Sequence, residues 1–154
     1  MEQFKTMDDL REYVNELGKF YARSVIVGEH PTLYVDHSQG QMVHGIREKD
    51  YLFSSCKKWV IPHDQMGLSF SAHWQHLKDR FKMKERHAKG GAVNVYWVLE
   101  KADIPEGLKF VPDKRNNQHY LLVASESMTV YALAAKLLWV ADRMSKISDA
   151  RKAL

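Results

Sequence analysis

Two parts of this sequence carry polar side chains whose types and spacing suit chemistry on a small ligand. Ser69 and Ser71 alternate with Leu68 and Phe70. Because a β-strand turns alternate side chains to opposite faces, both hydroxyls are predicted on one face. His119 lies where a polar loop passes into an apolar strand, a place where a rigid scaffold can aim an imidazole. The alternative for His119 is a hydrogen bond that caps the loop.

Other common kinds of site find less support in the sequence. His73 and His76 can share a helix face, but there is no HExxH motif and no carboxylate completes the set, so surface histidines and no metal are predicted. Cys56 stands before Lys57 and Lys58, which lower a thiol pKa. A buried structural cysteine is the simpler interpretation. The chain also has no GxGxxG and no GxxxxGK phosphate-binding loop.

The net charge of +4 is concentrated in one basic segment, residues 78–89. This segment contains six basic and two acidic residues, so it accounts for the whole excess of positive charge. A solvated helix face is one explanation. A surface that attracts phosphates is the other, and the interleaved Trp74, Phe81 and His87 would suit single-stranded nucleic acid.

Hydrophobic periodicity predicts the elements that position these side chains. A first helix is expected after a capping box at Thr6 and Asp9, and a last helix after an N-cap at Thr129. The remaining predicted elements are strands at 24–27, 32–35, 59–61, 66–71, 93–99, 108–111 and 119–124, and a basic helix at 73–86. Pro112 and Asp113 are predicted to lie in a polar loop between the last two strands. Short connections between segregated strands and helices favour an α+β fold with a largely antiparallel sheet.

Length and composition bound the class of protein. The 154 residues, 45% of them hydrophobic, are expected to form a single domain, 1–154. One cysteine excludes an internal disulfide. No apolar run is long enough to span a bilayer, and the polar start MEQFKTMDDL is unlike a secretory signal. A cytoplasmic protein without a membrane partner is therefore expected.

The order of short motifs across residues 60–140 resembles a known family. The motifs are Gly67–Ser71, Val95–Val98, Ile104–Leu108, Pro112-Asp113, His119-Tyr120 and Met128. In this order they resemble bacterial cytotoxins with an ADP-ribosyltransferase-like fold, in particular type VI secretion effectors and polymorphic toxins.

The resemblance implies small antiparallel sheets that form a cleft, flanked by N- and C-terminal helices. NAD+ would be the substrate, without a metal, and ADP-ribose would pass to a protein or nucleic-acid target, or to water. A cognate antitoxin or immunity protein would be the partner. The implied catalytic residues are His119, Ser69 and Glu126, and those implied to bind NAD+ are Arg23, Ser71, Tyr96 and Tyr120.

The chain departs from this family at the first strand. Many members carry an arginine there, whereas Thr32–Val35 has none, and Arg23 is the substitute that its placement suggests. This departure keeps two alternatives open. One is a non-catalytic module that binds nucleic acid through segment 78–89, and the other is an inhibitor protein that uses the same fold without catalysis.

Overall fold

The computed structural model describes residues 8–9, 11–12, 15, 19–35, 40–88 and 92–147. Within these residues eleven strands and three α-helices have defined bounds, and residues 8, 9, 11, 12 and 15 are also helical. The strands are β1 (Tyr21–Ile26), β2 (Met42–Val43), β3 (Ile46–Arg47), β4 (Leu52–Phe53), β5 (Trp59–Ile61), β6 (Leu68–Ser71), β7 (Val93–Val98), β8 (Leu108–Asp113), β9 (Asn116–Ala124), β10 (Met128–Thr129) and β11 (Ser145–Ile147). The helices are α1 (Trp74–His87), α2 (Glu100–Asp103) and α3 (Val130–Arg143), and a 3-10 turn spans Glu48–Asp50.

The main sheet has six strands in the order β11-β7-β1-β6-β9-β8, and every pairing is antiparallel. β1 pairs with β7 along its whole length. By contrast, β1 meets β6 through a single residue pair in the described chain, Ala22 opposite Ser71. The sheet is therefore divided at this seam into two three-stranded halves. A smaller sheet, β10-β5-β4, and the hairpin β2-β3 complete the β structure.

A separate apolar cluster packs on each face of the main sheet. α3 contributes Leu133 and Leu137 to one cluster, and α1 contributes Leu77 and Phe81 to the other. These four side chains are almost fully buried, and each such burial is worth about 1.5–3 kcal/mol. The two clusters fix both long helices against the sheet, and α1 covers the seam between β1 and β6.

The structure confirms the predicted α+β class with antiparallel sheets. It also confirms the last helix, because the Thr129 hydroxyl accepts a hydrogen bond from the Ala132 backbone N–H as an N-cap does. No helix in the described part of the chain is long and apolar enough to cross a membrane. The apolar stripe of the predicted first helix, together with Thr6, lies outside the described residues.

Three predictions of local structure were wrong. The segment 32–35 is not a strand; the Thr32 hydroxyl instead donates to the carbonyl of Leu137 in α3. Pro112 and Asp113 belong to β8 rather than to a loop. Proline is tolerated there because β8 is an edge strand. Cys56, predicted to be buried, is exposed.

Candidate active site

The seam between the two halves of the main sheet opens into a cleft of about 280 Å³ beneath α1. Polar and charged side chains dominate its lining. The cations are Arg23, Arg47, Arg80 and Lys84, the imidazoles are His76, His87 and His119, and the hydroxyls are Ser24, Tyr34, Ser69 and Ser71. Among the described residues that line it there is no aspartate and no glutamate. The cleft is therefore strongly positive and suited to an anionic ligand.

Ser71 joins the strand to the helix above it. Its register partner on β9 is His119, so both side chains lie on the same face of the sheet. The Ser71 hydroxyl is hydrogen bonded to Nδ1 of His76 at 2.6 Å. Burial lowers the pKa of His76, and the neighbouring His119 and Arg80 lower it further. A neutral His76 can accept the serine proton at neutral pH.

His119 is held by a carboxylate behind it. Its Nδ1 lies 2.9 Å from Oδ2 of Asp113, and both side chains are buried. The pKa of Asp113 is lowered to about 2, because the Arg115 backbone N–H, then His119 and the Arg115 side chain, donate to the carboxylate. An ionised Asp113 accepts a hydrogen bond from Nδ1–H of His119, and in the neutral tautomer that makes this bond Nε2 is the acceptor.

The free nitrogen of His119 has no protein partner. Nε2 is buried and makes no hydrogen bond within the described residues. An unsatisfied buried acceptor costs about 1–3 kcal/mol. The His119 ring also stacks on His76, with ring centroids 5.2 Å apart. The two imidazoles therefore form a stacked pair in the lining of the cleft, and Nε2 of His119 is a buried hydrogen-bonding atom without a partner in the described chain.

Arg23 spans the seam from β1. Its Nε donates to the carbonyl of Pro31 at 2.9 Å, and one terminal nitrogen donates to the carbonyl of Ser69 at 2.6 Å. The guanidinium also lies over the Phe70 ring, 5.6 Å from the centroid. Both of its hydrogen-bond acceptors are neutral. Arg23 therefore holds the two strands at a fixed separation and keeps its charge uncompensated.

The positive charge on α1 faces the same space. His76, Arg80 and Lys84 recur every fourth residue and so form one stripe of the helix. Arg80 and Lys84 have no ion-pair partner among the described residues. Burial lowers the pKa of Lys84, and Arg23, Arg47 and Arg80 lower it further, whereas Glu29 acts in the opposite direction. The like charges are thus close enough to repel one another.

Arg47 and Tyr34 form the remaining wall. Arg47 makes a bidentate ion pair with Asp50, with both contacts at 3.0 Å, so its charge is largely neutralised. Its guanidinium lies 4.9 Å from the centre of the Tyr34 ring. Tyr34 is therefore an aromatic surface already fixed from one side by a cation.

The cleft brings together four of the seven residues that the resemblance implies: Arg23, Ser69, Ser71 and His119. The other three are not among the residues that line it. Tyr120 follows His119 in β9 and so points to the opposite face, where it packs edge-on against Tyr21.

Tyr96 and Glu126 lie elsewhere. The Lys146 ammonium is 6.0 Å from the centre of the Tyr96 ring. Glu126 is exposed beyond the far end of β9, where its side chain lies against Gly107. Tyr34 lines the cleft and Tyr96 and Tyr120 do not, so Tyr34 is the tyrosine available to a ligand there.

Sequence reasoning missed several of the residues that build the cleft. His76 was predicted to be at the surface, yet it is buried. The four-residue spacing of His76, Arg80 and Lys84 could have indicated that they share one face of the helix. No such pattern pointed to Tyr34 or Arg47. A Cβ at Gly67 would collide with the carbonyl of Leu122, so this glycine serves strand packing.

Within the described residues, no group of three or more histidine, cysteine, aspartate or glutamate side chains could hold a metal ion. His73 caps α1, since its Nδ1 accepts a hydrogen bond from the Gln75 backbone N–H. Comparison with family models, curated proteins and solved structures found no match for this chain.

Proposed function

We propose that the cleft binds NAD+ and cleaves its nicotinamide–ribose bond, passing ADP-ribose to an acceptor or to water. The observation that carries this proposal is the meeting of Arg23, Ser69, Ser71 and His119 at one seam of the sheet. These four residues come from three strands. Ser69, Ser71 and His119 were implied by the resemblance, and Arg23 was suggested by its placement in the sequence.

The proposed reaction needs positioning and charge stabilisation more than it needs a strong nucleophile. As the bond to nicotinamide breaks, its electron pair neutralises the pyridinium nitrogen, and positive charge develops on the ribose. Nε2 of His119 can accept a hydrogen bond from a ribose hydroxyl, which holds the sugar in place. The cations on the walls suit the pyrophosphate, and Tyr34 offers a ring for stacking.

Such an activity suits an intracellular toxin, because loss of NAD+ or modification of an essential target stops growth. In that role the chain acts in the cytosol, and an antitoxin or immunity protein that fills the cleft is the expected partner.

The experiment is a nicotinamide-release assay with NAD+, with the purified chain alone and with cell lysate. Wild type is compared with His119→Ala and with His63→Ala, an exposed histidine that does not line the cleft. We expect release by wild type and His63→Ala, and a loss of about 10²-fold or more in His119→Ala. Equal release by all three proteins would remove His119 from the reaction.

A second candidate is cleavage of an RNA phosphodiester. The stacked pair of His76 and His119 favours it, because two imidazoles can serve as base and acid beside cations that stabilise a phosphorane. Incubation with labelled RNA of mixed sequence tests this alternative. Fragments that form with wild type but not with His76→Ala would support cleavage. Retarded but intact RNA would instead support the binding module of segment 78–89.

A further inference from the structure

The positive charge of the cleft exceeds the net negative charge that NAD+ brings. Arg23, Arg80 and Lys84 line it without a carboxylate partner in the described chain. The pyrophosphate of NAD+ supplies two negative charges, and its nicotinamide ring adds a positive one. A filled cleft would therefore keep a surplus of positive charge in a partly desolvated space, which is unfavourable.

The second observation is that no carboxylate among the described residues faces the cleft. Glu126 lies beyond the far end of β9, and Asp113 is engaged with His119 and Arg115. A hydroxyl or a guanidinium acceptor must lose a proton as it attacks the ribose, so in this cleft it would depend on an imidazole as the base. A phosphomonoester has lost its protons by about pH 6–7 and needs none.

On the basis of the proposed function, we infer that the acceptor is the phosphomonoester of a nucleotide, free or at the end of a nucleic acid. Such a group brings two negative charges, which match the surplus left by NAD+. Arg80 and Lys84 lie four residues apart on one helix face and offer donors to its oxygens. The acceptor site is thus the α1 wall of the cleft.

The reaction balances without a base. The bond between the ribose C1 atom and the nicotinamide nitrogen breaks, and its electron pair stays on neutral nicotinamide. A phosphate oxygen uses a lone pair to bond to the same carbon. No proton is transferred, and the product is ADP-ribose joined to the acceptor through a phosphodiester.

The test uses NAD+ labelled in its adenylate half and three acceptors in parallel: an RNA oligonucleotide with a 5′-phosphate, the same oligonucleotide with a 5′-hydroxyl, and adenosine monophosphate. Wild type is expected to label the phosphorylated oligonucleotide at least about 10-fold faster than the oligonucleotide with a 5′-hydroxyl, the scale of one charge-assisted hydrogen bond. Labelling of the mononucleotide as well would indicate that the phosphate alone is recognised.

Two lysines on α1 provide the matched variants. Lys84 lines the cleft, whereas Lys82 is exposed and does not. Lys84→Gln is expected to lose most of the preference for the phosphorylated RNA, and Lys82→Gln to keep it. Circular dichroism establishes that both variants are folded.

The outcomes separate this inference from the function on which it rests. Nicotinamide release with equal labelling of the two oligonucleotides, or labelling of lysate proteins alone, would overturn the phosphate acceptor and leave NAD+ cleavage standing. No nicotinamide release with any acceptor would overturn both.

Discussion

Replacing Asp113 by asparagine tests the most defined geometry of the cleft. The carboxylate accepts from Nδ1 of His119 at 2.9 Å and is ionised at every pH of interest, since its pKa is about 2. An amide of the same shape can still accept a hydrogen bond from the Arg115 backbone N–H, so the hairpin between β8 and β9 is expected to persist. What is lost is the negative charge behind the imidazole and, because the amide nitrogen then faces Nδ1, the hydrogen bond to His119.

The size of the effect follows from the lost charge-assisted hydrogen bond. Such a bond is worth about 1.5–3 kcal/mol, which corresponds to about 10- to 150-fold in rate at 1.36 kcal/mol per tenfold. If His119 acts only when its ring is fixed and polarised, kcat for nicotinamide release falls by that factor. KM changes little, because Asp113 does not line the cleft.

The assay measures nicotinamide release by wild type, Asp113→Asn and Asp64→Asn. Asp64 is an exposed carboxylate on the loop before β6, and its loss is expected to leave kcat unchanged. Thermal unfolding of each protein excludes a folding defect. A folded Asp113→Asn protein with the kcat of wild type would refute a catalytic role for the His119–Asp113 pair.

Three further changes probe the seam and its packing. Burial lowers the pKa of His76, so below about pH 6.5 the unfolded chain binds a proton that the folded chain does not bind, and the free energy of unfolding is expected to fall as the pH drops. His76→Gln is expected to reduce this pH dependence in urea titrations between pH 5 and 7.5. An unchanged slope would contradict the shift. Gly67→Ala is expected to cost about 1–3 kcal/mol of unfolding free energy, because its Cβ collides with the backbone of Leu122, and wild-type stability would contradict that packing. Arg23→Lys keeps the charge but loses the two-carbonyl bridge, so KM for NAD+ is expected to rise about 10-fold, and an unchanged KM would show that the bridge does not shape the cleft.

Local patterns predicted the parts of the fold that depend on neighbouring residues. The alternation in β6 placed Ser69 and Ser71 on one face, and the Thr129 cap located the start of α3, because each depends on a few consecutive residues. The basic helix was predicted within one residue at each end. The position of the helix on the sheet was not predicted, and it is this position that brings His76, Arg80 and Lys84 into the cleft once Leu77 and Phe81 are buried.

The predictions that were wrong or missing concern features that depend on contacts between distant segments of the chain. Asp113 was assigned to a loop because proline and aspartate usually end strands. The hairpin nevertheless continues through a register shift at Pro112, which brings the carboxylate to His119. Tyr34 reaches the cleft through a segment without regular structure, and no periodicity could place it. The division of the sheet at Ala22 and Ser71 likewise follows from global packing.

The crowded cations provide a test of function that requires no substrate. Arg23, Arg47 and Arg80 all disfavour the charge on Lys84, so the folded chain maintains a repulsion that selection for stability alone would remove. Lys84→Met keeps the aliphatic stem and removes the charge. The variant is expected to be more stable than wild type by a few tenths to about 1 kcal/mol, the range for partly exposed charges, and the upper end corresponds to roughly 2–4 °C in melting temperature.

Binding of an anion should reverse the order of stability between wild type and Lys84→Met. Inorganic pyrophosphate is expected to raise the melting temperature of wild type and of Lys82→Met, and to raise that of Lys84→Met much less, because ligand binding stabilises only the form that binds. If Lys84→Met is less stable than wild type and responds equally to pyrophosphate, Lys84 has a structural role and the repulsion has no function. If stability rises while the response is lost, the cleft gives up stability to hold a phosphate.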